Sequence, residues 1–77
     1  MANAVVLYHT DGCHLCEQAA ALLHSAKQPF NLVDIVSDPQ LVDRYGVRIP
    51  VVALDNGQEL GWPFDLQQLQ RFLGAQA

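Results

Sequence analysis

Apolar residues fall along this chain in short runs whose spacing changes from one stretch to the next. Residues 4–9, which include Val5-Val6-Leu7-Tyr8, form a nearly unbroken apolar run rich in β-branched side chains and predict a buried strand. Over residues 14–27 the period becomes helical. Leu15, Ala19, Leu22, Leu23 and Ala26 share one face, the alanines add helix propensity, and Pro29 ends the segment. Residues 30–36 predict a second strand, with Asp34 near its end. A strand, a crossover helix and a second strand of these lengths make a right-handed βαβ unit with parallel strands.

Ser37-Asp38-Pro39-Gln40 reads as a helix start, with Ser37 as cap, Pro39 in the first turn and Gln40 at the capping-box position. The short helix through Leu41, Val42 and Tyr45 is expected to stop at a left-handed Gly46. Residues 47–54 predict a third strand. Asn56-Gly57 is a strong hairpin signal, so residues 58–60 should return antiparallel. Asp65 then caps a helix carrying Leu66, Leu69, Phe72 and Leu73, with Gly74 beyond its end. The order βαβ-α-ββ-α predicts an α/β fold, a four-stranded mixed sheet flanked by helices, and one domain over residues 1–77.

Composition narrows the function classes. The chain has 77 residues, 51% hydrophobic and 16% charged, with a formal charge of −4. Its basic residues, Lys27, Arg44, Arg48 and Arg71, are scattered, which argues against nucleic acid as a partner. The acidic balance and the lack of a long apolar run argue against a membrane. The first residues have no basic segment of the kind that opens a secretory signal, so a cytoplasmic location is expected.

The chemistry lies in Cys13-His14-Leu15-Cys16, where the first strand passes into the first helix. A thiol at a helix start meets unpaired N–H groups and the positive end of the helix dipole, both of which favour the thiolate. The second thiol, three positions on, is within reach of the first and faces the core. Cys13 is therefore the expected nucleophile and Cys16 the resolving thiol. In a reducing compartment such a pair does chemistry or binds metal more often than it staples a fold.

The chain resembles the thioredoxin-fold superfamily, and within it the small glutaredoxin-like proteins. The resemblance rests on Cys13-His14-Leu15-Cys16 after the first strand, Ile49-Pro50 before the third, and Gly61 with Asp65 between the fourth strand and the last helix. It implies a thioredoxin-like fold, a redox-active disulfide, a cis Ile49–Pro50 bond beside the redox pair, and a role in electron transfer and cell redox homeostasis. It also implies protein or small-molecule disulfides as substrates, and glutathione or a thioredoxin-type donor as reductant. No tightly bound cofactor and no metal are expected, and a monomer is expected.

Further tuning or substrate contacts are expected from Gly12, His14, Leu15, Arg48, Ile49, Pro50, Gly61, Trp62 and Asp65. Gly12 lets the loop turn tightly into the helix. A cationic His14 would favour the Cys13 thiolate; an exposed histidine with no defined contact is the plainer alternative. Leu15 is a candidate for an apolar rim that meets the substrate, or for packing against the domain. Arg48 is a candidate for a substrate carboxylate or an ordinary surface arginine. Two departures from the family pattern bear on glutathione. Asp11 stands in the stretch where many glutaredoxins have a lysine, and Trp62 replaces the second glycine of the γ-glutamyl region, where Asp65 is also a plain helix cap. A redox-fold interaction protein without efficient turnover and a thiolate-based metal or iron–sulfur module are the alternatives in other classes.

Overall fold

In a computed structural model, which describes residues 5–74, the chain runs β1 (Val5–His9), α1 (His14–Ser25), β2 (Asn31–Asp34), a 3-10 turn (Ile35–Ser37), α2 (Pro39–Tyr45), β3 (Val51–Leu54), β4 (Glu59–Gly61) and α3 (Leu66–Gly74). The sheet order is β2-β1-β3-β4. β1 and β2 are parallel, and the β1–β3 and β3–β4 pairs are antiparallel. The fold is thioredoxin-like, as the element order predicts. Ala4, at the predicted start of β1, lies outside the described residues.

Alternation along the strands sorts the core into two layers. Val5 and Leu7 of β1 with Val52 and Leu54 of β3 bury against Ala19 and Leu23 of α1 and Leu69 of α3. The intervening positions face the other way, where Tyr8 and Val51 meet Ile35 and Tyr45. Helices α1 and α3 thus cover one face and α2 the other, as the period-two pattern of a doubly covered sheet requires. Leu7, Leu23 and Leu69 are fully buried, and truncating any of them to alanine should cost about 2–5 kcal/mol.

Several boundaries differ from the sequence reading, each for a local reason. α1 ends at Ser25, well before Pro29, because the Gln28 N–H donates to Leu23 O and the Lys27 N–H to His24 O while Lys27 adopts φ 55°. This is a Schellman ending with a lysine in the glycine position. Leu15 lies off the buried face at 43% exposed, and Cys16 takes the inward place. The second strand stops at Asp34, whose carboxylate accepts the Val36 N–H and starts the 3-10 turn.

The cap of α2 is Asp38, which accepts from the Gln40 N–H; Ser37 instead donates to Asp34 O. Gly46 is right-handed, at φ −50°, and a Cβ there would stand 2.5 Å from Val42 O, so close approach explains this glycine. β3 starts only at Val51, because the Arg48 and Ile49 N–H groups are turned back onto Tyr45 O. The hairpin strand runs one residue later than predicted, and Gly74 is the last residue of α3. Among the described residues, no helix is long and apolar enough to cross a membrane.

Candidate functional site

Gly12 makes the turn between β1 and α1. Its φ of +77° lies in the left-handed region, where a side chain would be strained although nothing stands near its Cβ position. The turn delivers Cys13 in extended conformation as the N-cap of α1, where a serine or aspartate usually sits. The Cys13 Sγ accepts the Cys16 N–H at 3.2 Å. A thiolate at this atom would take the same bond and the favourable end of the helix dipole.

Cys13 and Cys16 are joined as a disulfide, with Cα atoms 5.2 Å apart, inside the range that a direct bridge needs. Cys16 is buried at 4% exposed, whereas Cys13 is only partly covered. The buried sulfur belongs to the core side of α1, and the other opens toward the loop. That asymmetry is what a pair needs if one thiol meets the outside and the second resolves behind it.

A groove of about 370 Å³ runs beside the disulfide, lined among others by His9, Asp11, Cys13, Cys16, Glu17 and Leu32. Glu17 and Leu32 were not singled out from sequence. Glu17 reaches the groove by being one helical turn beyond Cys13, a spacing legible in hindsight; Leu32 arrives from β2, which local sequence does not place. A larger groove, of about 590 Å³, lies at the far end of α1 around Lys27 and Phe30 and includes neither cysteine.

The Ile49–Pro50 bond is cis, as the resemblance implies, and so is Trp62–Pro63, which sequence reading did not anticipate. Continuing the register beyond the Tyr8↔Val51 pair sets Pro50 opposite His9, at the end of β1 that leads into the cysteine loop. The Trp62 N–H donates to Pro50 O at 3.1 Å, and Gly61 pairs with Val51, so these four positions are brought together. The Trp62 indole packs edge-on against the buried Phe64, with ring centroids 4.9 Å apart. Asp65 caps α3: its carboxylate accepts the Gln68 N–H at 2.7 Å, and the Gln68 side chain accepts the Asp65 N–H at 2.9 Å.

The remaining sequence candidates are engaged elsewhere. His14 is exposed, its Nδ1 3.9 Å from Glu17 Oε2. Arg48 donates to Glu59 Oε1 at 3.3 Å, and its guanidinium stands 5.5 Å from the Tyr45 ring centroid. Tyr45 also donates its hydroxyl to Glu59 Oε2 and stacks on Tyr8 at 4.3 Å. Burial first, then the bond to the Glu59 carboxylate, push the Tyr45 phenol up to about 12. Among the described residues, no three or more His, Cys, Asp or Glu side chains are grouped to hold a metal ion.

A family model described as Glutaredoxin-like domain (DUF836) matches residues 4–74. The X-ray structure of target protein XcR50 from X. campestris is similar at 44% identity, with 94% of this chain and 97% of that chain covered and a TM-score of 0.89. A solution structure of the same target gives 44% identity, 94% coverage of both chains and a TM-score of 0.86. Protein Ne2328 from Nitrosomonas europaea is similar at 25% identity, over 95% of this chain and 93% of that chain, with a TM-score of 0.80. No curated protein matches the chain.

Proposed function

Because this chain belongs to the glutaredoxin-like domain family, we propose that it is a thiol–disulfide oxidoreductase in which Cys13 attacks and Cys16 resolves. The observation that carries the reading is the disulfide at the start of α1, with one sulfur partly open at the N-cap and the other buried a turn inward.

In the reduced protein the Cys13 thiolate attacks one sulfur of a substrate disulfide. A Cys13–substrate mixed disulfide forms, the substrate S–S bond breaks, and the second substrate sulfur leaves as a thiolate. Cys16 then loses its proton to solvent and attacks the Cys13 sulfur. This closes the Cys13–Cys16 bridge and releases the remaining substrate thiolate. The leaving thiolates take protons from water. Two electrons have passed from the protein dithiol to the substrate, and a thiol donor such as glutathione or a thioredoxin-type dithiol restores the reduced pair by the same exchange in reverse.

Gly12 positions the loop, and the cis-Pro50 strand end with Gly61 and Trp62 supplies the backbone wall against which a substrate chain would lie. The test is capture. Reduced Cys16→Ser protein, offered a peptide disulfide, should accumulate a mixed disulfide at Cys13, whereas Cys13→Ser should form none. Capture by the Cys13→Ser protein, or turnover by both variants, would overturn the assignment.

A further inference from the structure

The groove beside the disulfide carries two carboxylates, Asp11 and Glu17, and none of the chain's 4 Lys and Arg residues lines it. Lys27 lines the groove at the far end of α1, Arg48 is held by Glu59, Arg44 stands over the Tyr45 ring, and Arg71 lies in the last turn of α3. None of the four lines the groove beside the sulfurs, and the groove that Lys27 lines meets it at Leu32. The groove continues to Leu32, an exposed apolar side chain on β2, which is an edge strand of the sheet.

From this we infer that the site selects polypeptide disulfides with a basic residue beside the cysteine, that residue lying in the groove between Asp11 and Glu17. The inference deepens the oxidoreductase reading and rests on it for the exchange step. The lysine or arginine stem covers the wall toward Leu32 while its charge meets the carboxylates. The volume of about 370 Å³ sits at the low end of the ~300–1,000 Å³ typical of ligand sites, enough for a long side chain and part of its backbone. A net-anionic disulfide such as oxidised glutathione meets the same two carboxylates as repulsion. Because the groove is open, the effect is one of selection and encounter rate more than of tight binding.

His9 lines the groove and His14 stands beside Glu17, so a positive charge on either would oppose the preference. The test is made at one fixed pH for both peptides. Two peptide disulfides, identical except for Lys or Glu next to the cysteine, are mixed with the reduced full chain, and the rates of protein oxidation are compared. At low ionic strength the basic peptide should react about fivefold faster, and the ratio should fall below about twofold near 1 M salt. In Asp11→Asn/Glu17→Gln the ratio should fall likewise. Removing the carboxylates also changes the reactivity of Cys13 itself, and taking the ratio cancels that change.

A second measurement stands apart from chemistry. Serine analogues of the two peptides are titrated into the oxidised protein while the amides of Asp11, Gly12, Glu17 and Leu32 are followed. The basic analogue should shift them and the acidic one should not. Equal rates for the two peptides, a ratio undiminished in the folded double variant, or equal shifts from both analogues would overturn the inference. Failure of both peptides to react at all would overturn the oxidoreductase reading, and the titration would still decide the preference of the groove.

Discussion

The hydroxyl of Tyr45, at the end of α2, donates to the carboxylate of Glu59, at the start of β4. The same carboxylate holds Arg48, so one acidic side chain ties the end of α2 and the segment leading to Pro50 onto the hairpin. Residues 14 apart in sequence are thereby joined, with Glu59 lying opposite Ala53 in the hairpin.

A pH dependence follows from that contact. The Tyr45 phenol is pushed from its ordinary value of 10 up to about 12, so the folded state holds this proton more tightly than the unfolded chain does. The stability it contributes is complete below pH 10 and is lost as pH rises through about 12. The size of the loss is about 2–3 kcal/mol. Alkaline unfolding of wild type should show this limb, and Tyr45→Phe should flatten it. A phenol that ionises late in a spectrophotometric titration should also disappear in Tyr45→Phe.

The two thiols should differ in reactivity. Cys13 is partly open and lies at the helix start, whereas Cys16 is at 4% exposure. In the fully reduced protein, alkylation should modify Cys13 at least about tenfold faster, as the difference in access and thiolate character requires. Mass mapping of partially alkylated protein reads this directly. Equal labelling of both sites would remove the physical basis for naming Cys13 the nucleophile.

Two positions in left-handed backbone should respond in opposite directions. Lys27, at φ 55°, occupies the place that glycine usually takes in a Schellman ending. Lys27→Gly should therefore stabilise the protein by about 0.5–1 kcal/mol, after the added chain entropy of glycine is set against the relieved conformation. Gly12, at φ +77°, is already glycine, and Gly12→Ala should destabilise by about 1–2 kcal/mol. Thermal melts of the oxidised proteins separate the two signs.

The limits of sequence reading can be seen in these same residues. The element order, the approach of the two cysteines and the cap at Asp65 were legible because each is carried by local spacing: helical period, strand–turn–helix junction, and a capping side chain followed by its helix. Lys27 was not, since a positive φ at lysine has no composition signal and Pro29 drew the boundary outward. Ser37 reads as the cap from its place in Ser37-Asp38-Pro39-Gln40, and the geometry of the preceding 3-10 turn gives that role to Asp38. Arg48 reads as a candidate for a substrate carboxylate or as an ordinary surface arginine, and its partner Glu59 is not legible because it reaches Arg48 from the hairpin. The acidic groove had half its wall visible in Asp11, but Leu32 enters through strand pairing, which no local pattern specifies.

Trp62 carries the prediction on glutathione. Its backbone N–H is fixed to Pro50 O and its indole leans on Phe64, so the ring is part of the core margin as well as a wall beside the cis-proline segment. Trp62→Ala should therefore cost about 2–3 kcal/mol, less than a fully buried tryptophan because the ring is only partly covered. If the indole crowds the γ-glutamyl position, the folded variant should bind glutathione several-fold more tightly, with amide shifts at Gly61 and Asp65. Asp65 offers little by itself, because its carboxylate already holds the Gln68 N–H; Asp65→Ala should cost about 1 kcal/mol as a lost cap, with or without ligand. Titration of S-methylglutathione, which cannot exchange with the disulfide, into both oxidised proteins, below the melting range of the variant, separates crowding from repulsion. Unchanged weak binding in Trp62→Ala would shift the cause to the carboxylates of Asp11 and Glu17, and raised salt should then recover affinity where removal of the ring did not.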